Sequence, residues 1–349
     1  MVRGLARHIG RGKPPAFVAC ANVLRVMNRR QGDYRSGQIY SWVKSLVQEG
    51  RAIAPDTMSA SLLVRILRAA VAEGGDRRAM LSAVGIDETR LRNPLSRLSS
   101  HIVLRFFLML EQHFNDPAIT LRIGEKASMQ NFSDLGYATR LESNLATVIE
   151  ANIKIQILRQ NMFGTTFDAS DKPPYILWAV HPDYINAYAA FVEFSVATYA
   201  RLSRQILGEP PLLRVVEFQH AARFDVARYE KAFGCPVHFS MPQTRMEMAA
   251  RQLFRPSPHA NPQLFDVALK RYEQPANWMA QGKPNAAYIY FYLSNELDKS
   301  PPTLDRMATS FGMSERTLRR NLVEEGFPFR ELLDRVRQDL CTLYFIEDK

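Results

Sequence analysis

The chain of 349 residues is expected to be α+β and mostly helical, with a helical and mixed domain ahead of an all-α helix-turn-helix domain. Three observations predict this. From Ser59 to Met162 nearly every segment carries apolar residues at the 3.6-residue period of a helix. From Thr165 to Met248 short runs rich in β-branched and aromatic residues are interleaved with two helical patterns. After the proline-rich stretch Arg255 to Pro262 the helical period returns.

Residues 1–57 are read as a basic, poorly ordered N-terminal extension, with ten Lys/Arg against three Asp/Glu and one helical pattern, Tyr40 to Gln48. A basic arm for nucleic acid is one reading. A flexible tail, or sequence upstream of a true start at Met58, is the plainer one. Residues 58–255 are expected to form a folded domain of mixed helices and strands. Its helices are Ser59 to Val71, Arg77 to Val84 closed by Gly85, and Ser99 to Phe114, stopped by Asn115-Asp116-Pro117. Ile119 to Ala127 and Phe132 to Leu141 follow, then one long helix from Asn144 to Met162. Thr165 to Asp168 and Tyr175 to Val180 read as a hairpin around Asp171-Lys172-Pro173-Pro174. Tyr184 to Leu207 is a long aromatic helix ended by Gly208 and Pro210-Pro211. Leu213 to Gln219, Val237 to Ser240 and Arg245 to Met248 are expected strands, with Val226 to Phe233 helical between the first two.

Residues 256–264 are the expected linker and 265–349 a second, all-helical domain. Phe265 to Met279 and Ala286 to Leu297 lead into the segment Pro302 to Glu325. There Leu304, Met307 and Ala308 share one face of a first helix, and Phe311-Gly312-Met313 makes a turn. Ser314 is a natural N-cap, with Thr317 at the third helical position. The second helix buries Leu318, Leu322 and, on this reading, Val323. Arg316, Arg319 and Arg320 then share the opposite face at i, i+3, i+4. Guanidinium forks on such a face suit guanine edges or phosphates of double-stranded DNA. A solvated surface on an ordinary helical hairpin is the alternative that spacing alone leaves open.

The formal charge of +10 is unevenly placed, because residues 301–349 hold eight Lys/Arg and nine Asp/Glu. Positive charge in the candidate DNA-binding part is therefore local to one helix face. Three distant cysteines, Cys20, Cys235 and Cys341, suit a reducing cytoplasm and no disulfide framework. No apolar run reaches the roughly 18 to 20 residues of a membrane span, so no membrane contact is expected. The seven histidines show no metal-ligand spacing, and no GxSxG, GxxxxGK[ST] or GxGxxG stretch is present. No enzyme activity, catalytic residue, metal or cofactor is predicted. Glu324-Glu325 reads as a solvated pair. Trp178, Tyr184, Tyr188 and Phe191 could line a ligand pocket, though core packing is the first reading for each.

The run Leu304-x-x-Met307-Ala308-x-x-Phe311-Gly312-Met313-Ser314-x-x-Thr317-Leu318-x-Arg320-x-Leu322-x-x-Glu325-Gly326 resembles the first helix-turn-helix of AraC/XylS-type transcription regulators. Phe329-Arg330-Glu331-Leu332-Leu333-x-x-Val336-Arg337 resembles the linker helix after it. Over about 61–255 the chain resembles the arabinose-binding-like effector domain of one AraC subfamily. Gly85-Ile86-Asp87, Asp116-Pro117, Leu121-Arg122-Ile123-Gly124, Leu135-Gly136-Tyr137, Phe218-Gln219-His220, Tyr229 and Phe233-Gly234 carry that likeness. The resemblance implies a sequence-specific transcription regulator that answers to a small-molecule effector and can form a homodimer. It implies DNA contacts at Ser314, Arg316, Thr317, Arg319 and Arg320. The family's second helix-turn-helix is not in this sequence, so the chain reads as C-terminally truncated. The alternative function is a ligand-binding and dimerisation protein that binds DNA weakly or not at all.

Overall fold

The computed structural model describes residues 57–88, 91, 96–127, 144–180, 182–207, 213–256, 260–296, 303–310 and 313–347. The expected extension up to residue 56, the Phe132 to Leu141 helix with Leu135-Gly136-Tyr137, the Gly208 stop and the Phe311-Gly312 turn lie outside them.

Strand β1 (Thr57–Ser59) pairs antiparallel with β2 (Arg97–Ser99), a two-stranded ribbon that the sequence did not suggest. Thr57, assigned to the extension, thus belongs to the folded body. Ser59 caps α1 (Ala60–Ala72), its Oγ accepting from the Leu62 amide at 3.2 Å. Leu62, Leu63, Ile66, Leu67 and Ala70 form its buried stripe. Next come α2 (Arg77–Val84), α3 (Ser100–Phe114) and α4 (Ile119–Glu125).

The long helix expected at Asn144 to Met162 is broken. The first part is α5 (Leu145–Lys154), and after Ile155, at φ −97°, ψ 5°, a single turn α6 (Gln156–Arg159) follows. No glycine or proline makes this break; competing partners do. Ile155 and Ile157 enter one apolar cluster. Gln156 Nε2 and Gln160 Nε2 both donate to the Phe163 carbonyl, at 3.0 and 3.2 Å, which turns the chain into β3 (Gly164–Asp168).

Strand β3 pairs with β4 (Tyr175–Ala179) as the expected hairpin. A 3₁₀ turn at Pro182–Tyr184 precedes α7 (Ala189–Leu207), so this helix starts five residues later than its aromatic pattern suggested. Strand β5 (Leu213–Glu217), helix α8 (Val226–Phe233), strands β6 (Val237–His238) and β7 (Thr244–Met248), and the short α9 (Ala250–Leu253) complete this part. The predicted strand to Ser240 stops at His238, because Ser240 takes a left-handed φ of 57°. The sheet order is β3-β4-β7-β5-β6, antiparallel except for β5 with β6. Helix α7 crosses α4 at Gly124, where a methyl group would stand 2.7 Å from both Ala197 Cβ and the Phe194 carbonyl oxygen.

The remaining helices are α10 (Pro262–Ala280), α11 (Pro284–Glu296), α12 (Leu304–Ser310), α13 (Glu315–Glu324) and α14 (Phe329–Glu347). Helix α10 begins inside the expected linker, with Pro262 at its first position, where a missing N–H costs nothing. Phe265, Ile289, Leu293, Met307, Leu318, Leu322, Leu332 and Val336 form the core of this part. Among the described residues two apolar clusters therefore form, and α5 contributes to both: Leu145, Val148 and Ile149 to the first, Ala151 to the second.

Candidate functional site

Helix α13 starts at Ser314, whose Oγ accepts from the Thr317 amide at 3.2 Å and lies 2.8 Å from Thr317 Oγ1. Both side chains are thus engaged in the cap, with Ser314 exposed and Thr317 half-buried. Leu318 and Leu322 are wholly buried against the rest of the second core. Arg316, Arg319 and Arg320 all point outward. Arg319 pairs with Glu315 one turn before it, and Arg320 Nε stands 3.6 Å from Glu324 Oε1 one turn after. Val323 was expected inside but is 60% exposed. Three residues after Arg320 and seven after Arg316, it extends the arginine face; the inward stripe is complete with Leu318 and Leu322 alone.

Glu325 is a second correction. It is half-buried, not solvated. Its Oε1 accepts from the Asn285 amide at 3.1 Å and Asn285 Nδ2 at 2.6 Å, and its Oε2 accepts from the Ala286 amide at 2.7 Å. A carboxylate from the end of α13 thereby satisfies the free N–H groups at the start of α11. Gly326, at φ 81°, turns the chain directly after it. This fixes α13 to the helix beneath it.

A cavity lies between α5–α6 and α7, with Leu62 of α1, Phe163 and Thr165 closing it. It offers about 80 Å³ to the centres of water-sized molecules. From the aromatic set suggested by sequence only Phe191 lines it; Trp178 stands behind, donating Nε1 to Ser195 Oγ at 3.0 Å. Arg159 lies on the wall, its guanidinium donating to Asn152 Oδ1 at 3.0 Å and to the Asn152 carbonyl at 2.7 Å. Burial holds its pKa below the usual arginine value, opposed by the Tyr199 phenol beside it. The same environment raises the Tyr199 pKa, again through burial. Sequence reasoning missed this site, because its lining residues come from helix faces that read as plain core.

The opposite side of α5–α6 rests on α10. Ala151, Ile155 and Ile157 pack in one cluster with Phe265, Leu269 and Tyr272, and Lys154 Nζ reaches Glu273 Oε1 at 3.3 Å. Arg97 ties the junction: Nε donates to Thr57 Oγ1 at 2.6 Å and Nη1 to the Leu158 carbonyl at 3.0 Å.

A third polar group is buried between α7, α8 and the loop after β5. Glu193, fully buried, accepts from Tyr229 Oη at 2.6 Å and pairs with Arg223 at 2.9 Å. Burial outweighs both and pushes the Glu193 carboxyl up to about 7. His220 Nε2 lies 3.6 Å from it, but burial lowers the imidazole to about 4, so this contact is not an ion pair near neutrality. The His220 ring bonds the Ala221 carbonyl through Nδ1, and His238 is exposed.

Residues 74–257 match the N-terminal arabinose-binding domain of AraC transcription regulators. Among curated proteins, the chain is 26% identical over 282 residues to the ornithine utilization regulator of Pseudomonas aeruginosa, covering 78% of this chain and 81% of that protein. It is 28% identical over 155 residues to the HTH-type transcriptional regulator VirS of Mycobacterium tuberculosis, covering 44% of this chain and 45% of that one. Among solved structures, the transcriptional regulator CdpR from Pseudomonas aeruginosa is similar at 20% identity and a TM-score of 0.42, over 76% of this chain and 82% of that one. With more than half of its length matched by the domain, the chain belongs to the AraC-type transcription regulators that carry this N-terminal arabinose-binding domain.

Proposed function

We propose that the chain regulates transcription by placing α13 in the major groove of double-stranded operator DNA, under control of a small effector held between α5–α6 and α7. The observation that carries this is the single exposed face of Arg316, Arg319 and Arg320, backed by buried Leu318 and Leu322. Arg316, Arg319 and Arg320 contact base edges or phosphates, and Ser314 and Thr317 hold the helix end near the backbone. Residues 58–255 act as the effector and dimerisation domain and the residues from 265 as the DNA-binding domain, in a cytoplasmic protein.

Control runs through α5–α6, which has the cavity on one side and α10 on the other. An effector that shifts this segment shifts α10, on which α11 and α14 pack. The test starts from DNA selected by the full chain from a random duplex pool. Arg320→Ala is expected to weaken binding to that site by on the order of 1 to 3 kcal/mol and to relax preference at one base. Equal affinity and equal preference for wild type and variant would refute the placement of α13. A salt slope near zero for the wild type would refute DNA binding itself.

A further inference from the structure

Five side chains from three helices and one loop converge on Glu193 of α7. They are Glu193 itself, Glu111 of α3, Tyr229 of α8, and His220 and Arg223 of the loop after β5. Arg223 bridges the two carboxylates, donating Nη1 to Glu193 Oε2 at 2.9 Å and Nη2 to Glu111 Oε1. With the imidazole neutral and both carboxylates ionised, these five would carry a net charge of −1. Glu111 is half-buried and keeps an edge in solvent, whereas Glu193 and His220 are fully buried. The cost of the surplus charge therefore falls on Glu193.

The tautomer of His220 is a second, independent observation. Its Nδ1 lies 2.9 Å from the Ala221 carbonyl oxygen, which only accepts, so Nδ1 carries the ring hydrogen. In the neutral ring Nε2 is then a bare acceptor. It has no hydrogen-bond partner among the described residues and faces Glu193 Oε1 across 3.6 Å. Two bare acceptors facing one another in a dry interior repel, and each lacks a donor, unless a proton stands between them. Glu193 Oε2 is committed to Arg223, so the proton belongs on Oε1, which keeps a lone pair for Tyr229 Oη. On the ring it would be a second cation beside Arg223.

We propose that Glu193 and His220 form a proton-binding site, in which a proton taken from solvent sits on Glu193 Oε1, points at His220 Nε2 and fastens the loop after β5 to α7. The site fills on the acid side of neutrality and empties as pH rises through about 7. Emptying it leaves two acceptors opposed and an unanswered negative charge, which loosens the loop. Helix α7 also lines the cavity through Phe191, Phe194 and Ser195, so the proton acts on an element of the cavity wall. The inference goes beyond the proposed function, since it requires neither an effector nor DNA.

Infrared difference spectra of the full chain against Glu193→Gln test it, because the glutamine amide reproduces the protonated carboxyl in shape and in its donor towards Nε2. On the acid side of neutrality the wild type is expected to show the carbonyl band of a protonated buried carboxyl, missing from the variant and fading as pH rises through neutrality. Nitrogen chemical shifts of wild-type His220, which need no variant, should report a neutral ring with its hydrogen on Nδ1. The loop is read by amide exchange at Gln219, which donates to Thr244 Oγ1, and at Ser240, which donates to the His220 carbonyl. Compared at the same pH, wild type and Glu193→Gln should exchange alike on the acid side, and the wild type severalfold faster on the alkaline side. A missing carboxyl band, a band that survives Glu193→Gln, or a charged His220 on the acid side would overturn the site. Equal exchange at both pH values would overturn its hold on the loop.

Discussion

Tyr229 donates its phenolic proton to Glu193 at 2.6 Å inside a group from which solvent is excluded, joining α8 to α7. Glu193 titrates at about 7 in the fold against 4.5 ordinarily, and His220 at about 4 against 6.5. The carboxyl, with its pKa raised, contributes stability that is full below 4.5 and lost as pH rises to about 7. The imidazole, with its pKa lowered, contributes stability that is full above 6.5 and lost as pH falls towards 4. From pH 6.5 to 4.5 the two slopes oppose one another. His220→Gln removes one of them. Its unfolding free energy is expected to rise by about 3 kcal/mol as pH is lowered from 7 to 4.5, from 1.36 kcal/mol per unit. Urea titrations across that range check this, and a flat profile in the variant would refute it.

Gly124 has no room for a side chain where α4 meets α7. Gly124→Ala places a methyl 2.7 Å from Ala197 Cβ and the Phe194 carbonyl. The helices must separate, at a cost of about 1–3 kcal/mol. Thermal unfolding should show a midpoint lowered by several degrees, although alanine is the better helix former. An unchanged or raised midpoint would mean that the crossing is looser than described.

Glu325 joins the end of the arginine-bearing helix to the start of α11 through three hydrogen bonds. Glu325→Ala leaves those donors without their acceptor and is expected to cost about 1–3 kcal/mol. Hydrogen exchange at Asn285 and Ala286 should accelerate ahead of the bulk of α11. Uniform acceleration along the chain would instead indicate a global effect only.

On the outer face of α13, carboxylates stand beside Arg319 and Arg320. Exposed pairs of this kind contribute about 0–1 kcal/mol. Glu315→Gln should therefore leave stability within about 0.5 kcal/mol while strengthening DNA binding. Arg316→Ala should reduce the slope of log affinity against log salt by about one where the guanidinium holds a phosphate. Val323→Ala should leave the unfolding midpoint alone and change base preference. A drop in stability for Val323→Ala would restore it to the core.

The two helices α12 and α13 were legible in the sequence because capping and period agree: Ser314 caps, Leu318 and Leu322 repeat at four, and the arginines fall opposite. Val323 was misplaced because an apolar residue beside a buried leucine reads as core, yet a helix this short needs only a narrow stripe. The break at Ile155 was not legible, since Ile155 and Ile157 pack with partners on α10 more than a hundred residues away, and the Gln156 and Gln160 bonds to the Phe163 carbonyl carry no periodic signal. The β1–β2 ribbon was missed for a related reason. Thr57, Met58 and Ser59 are all buried, so three residues show no alternation to read. The cavity left almost no trace in the sequence: Arg159 is one basic residue at the end of an apolar helix, and its meaning depends on α7 standing opposite.

The broken α5–α6 segment is a wall shared by two rooms. Any occupant that favours one setting of that wall alters the free energy of whatever is bound at the far end. The converse holds by the same factor, because linkage between two binding equilibria is symmetric. On the proposed function, operator DNA is therefore as much an effector of the small molecule as the small molecule is of the operator.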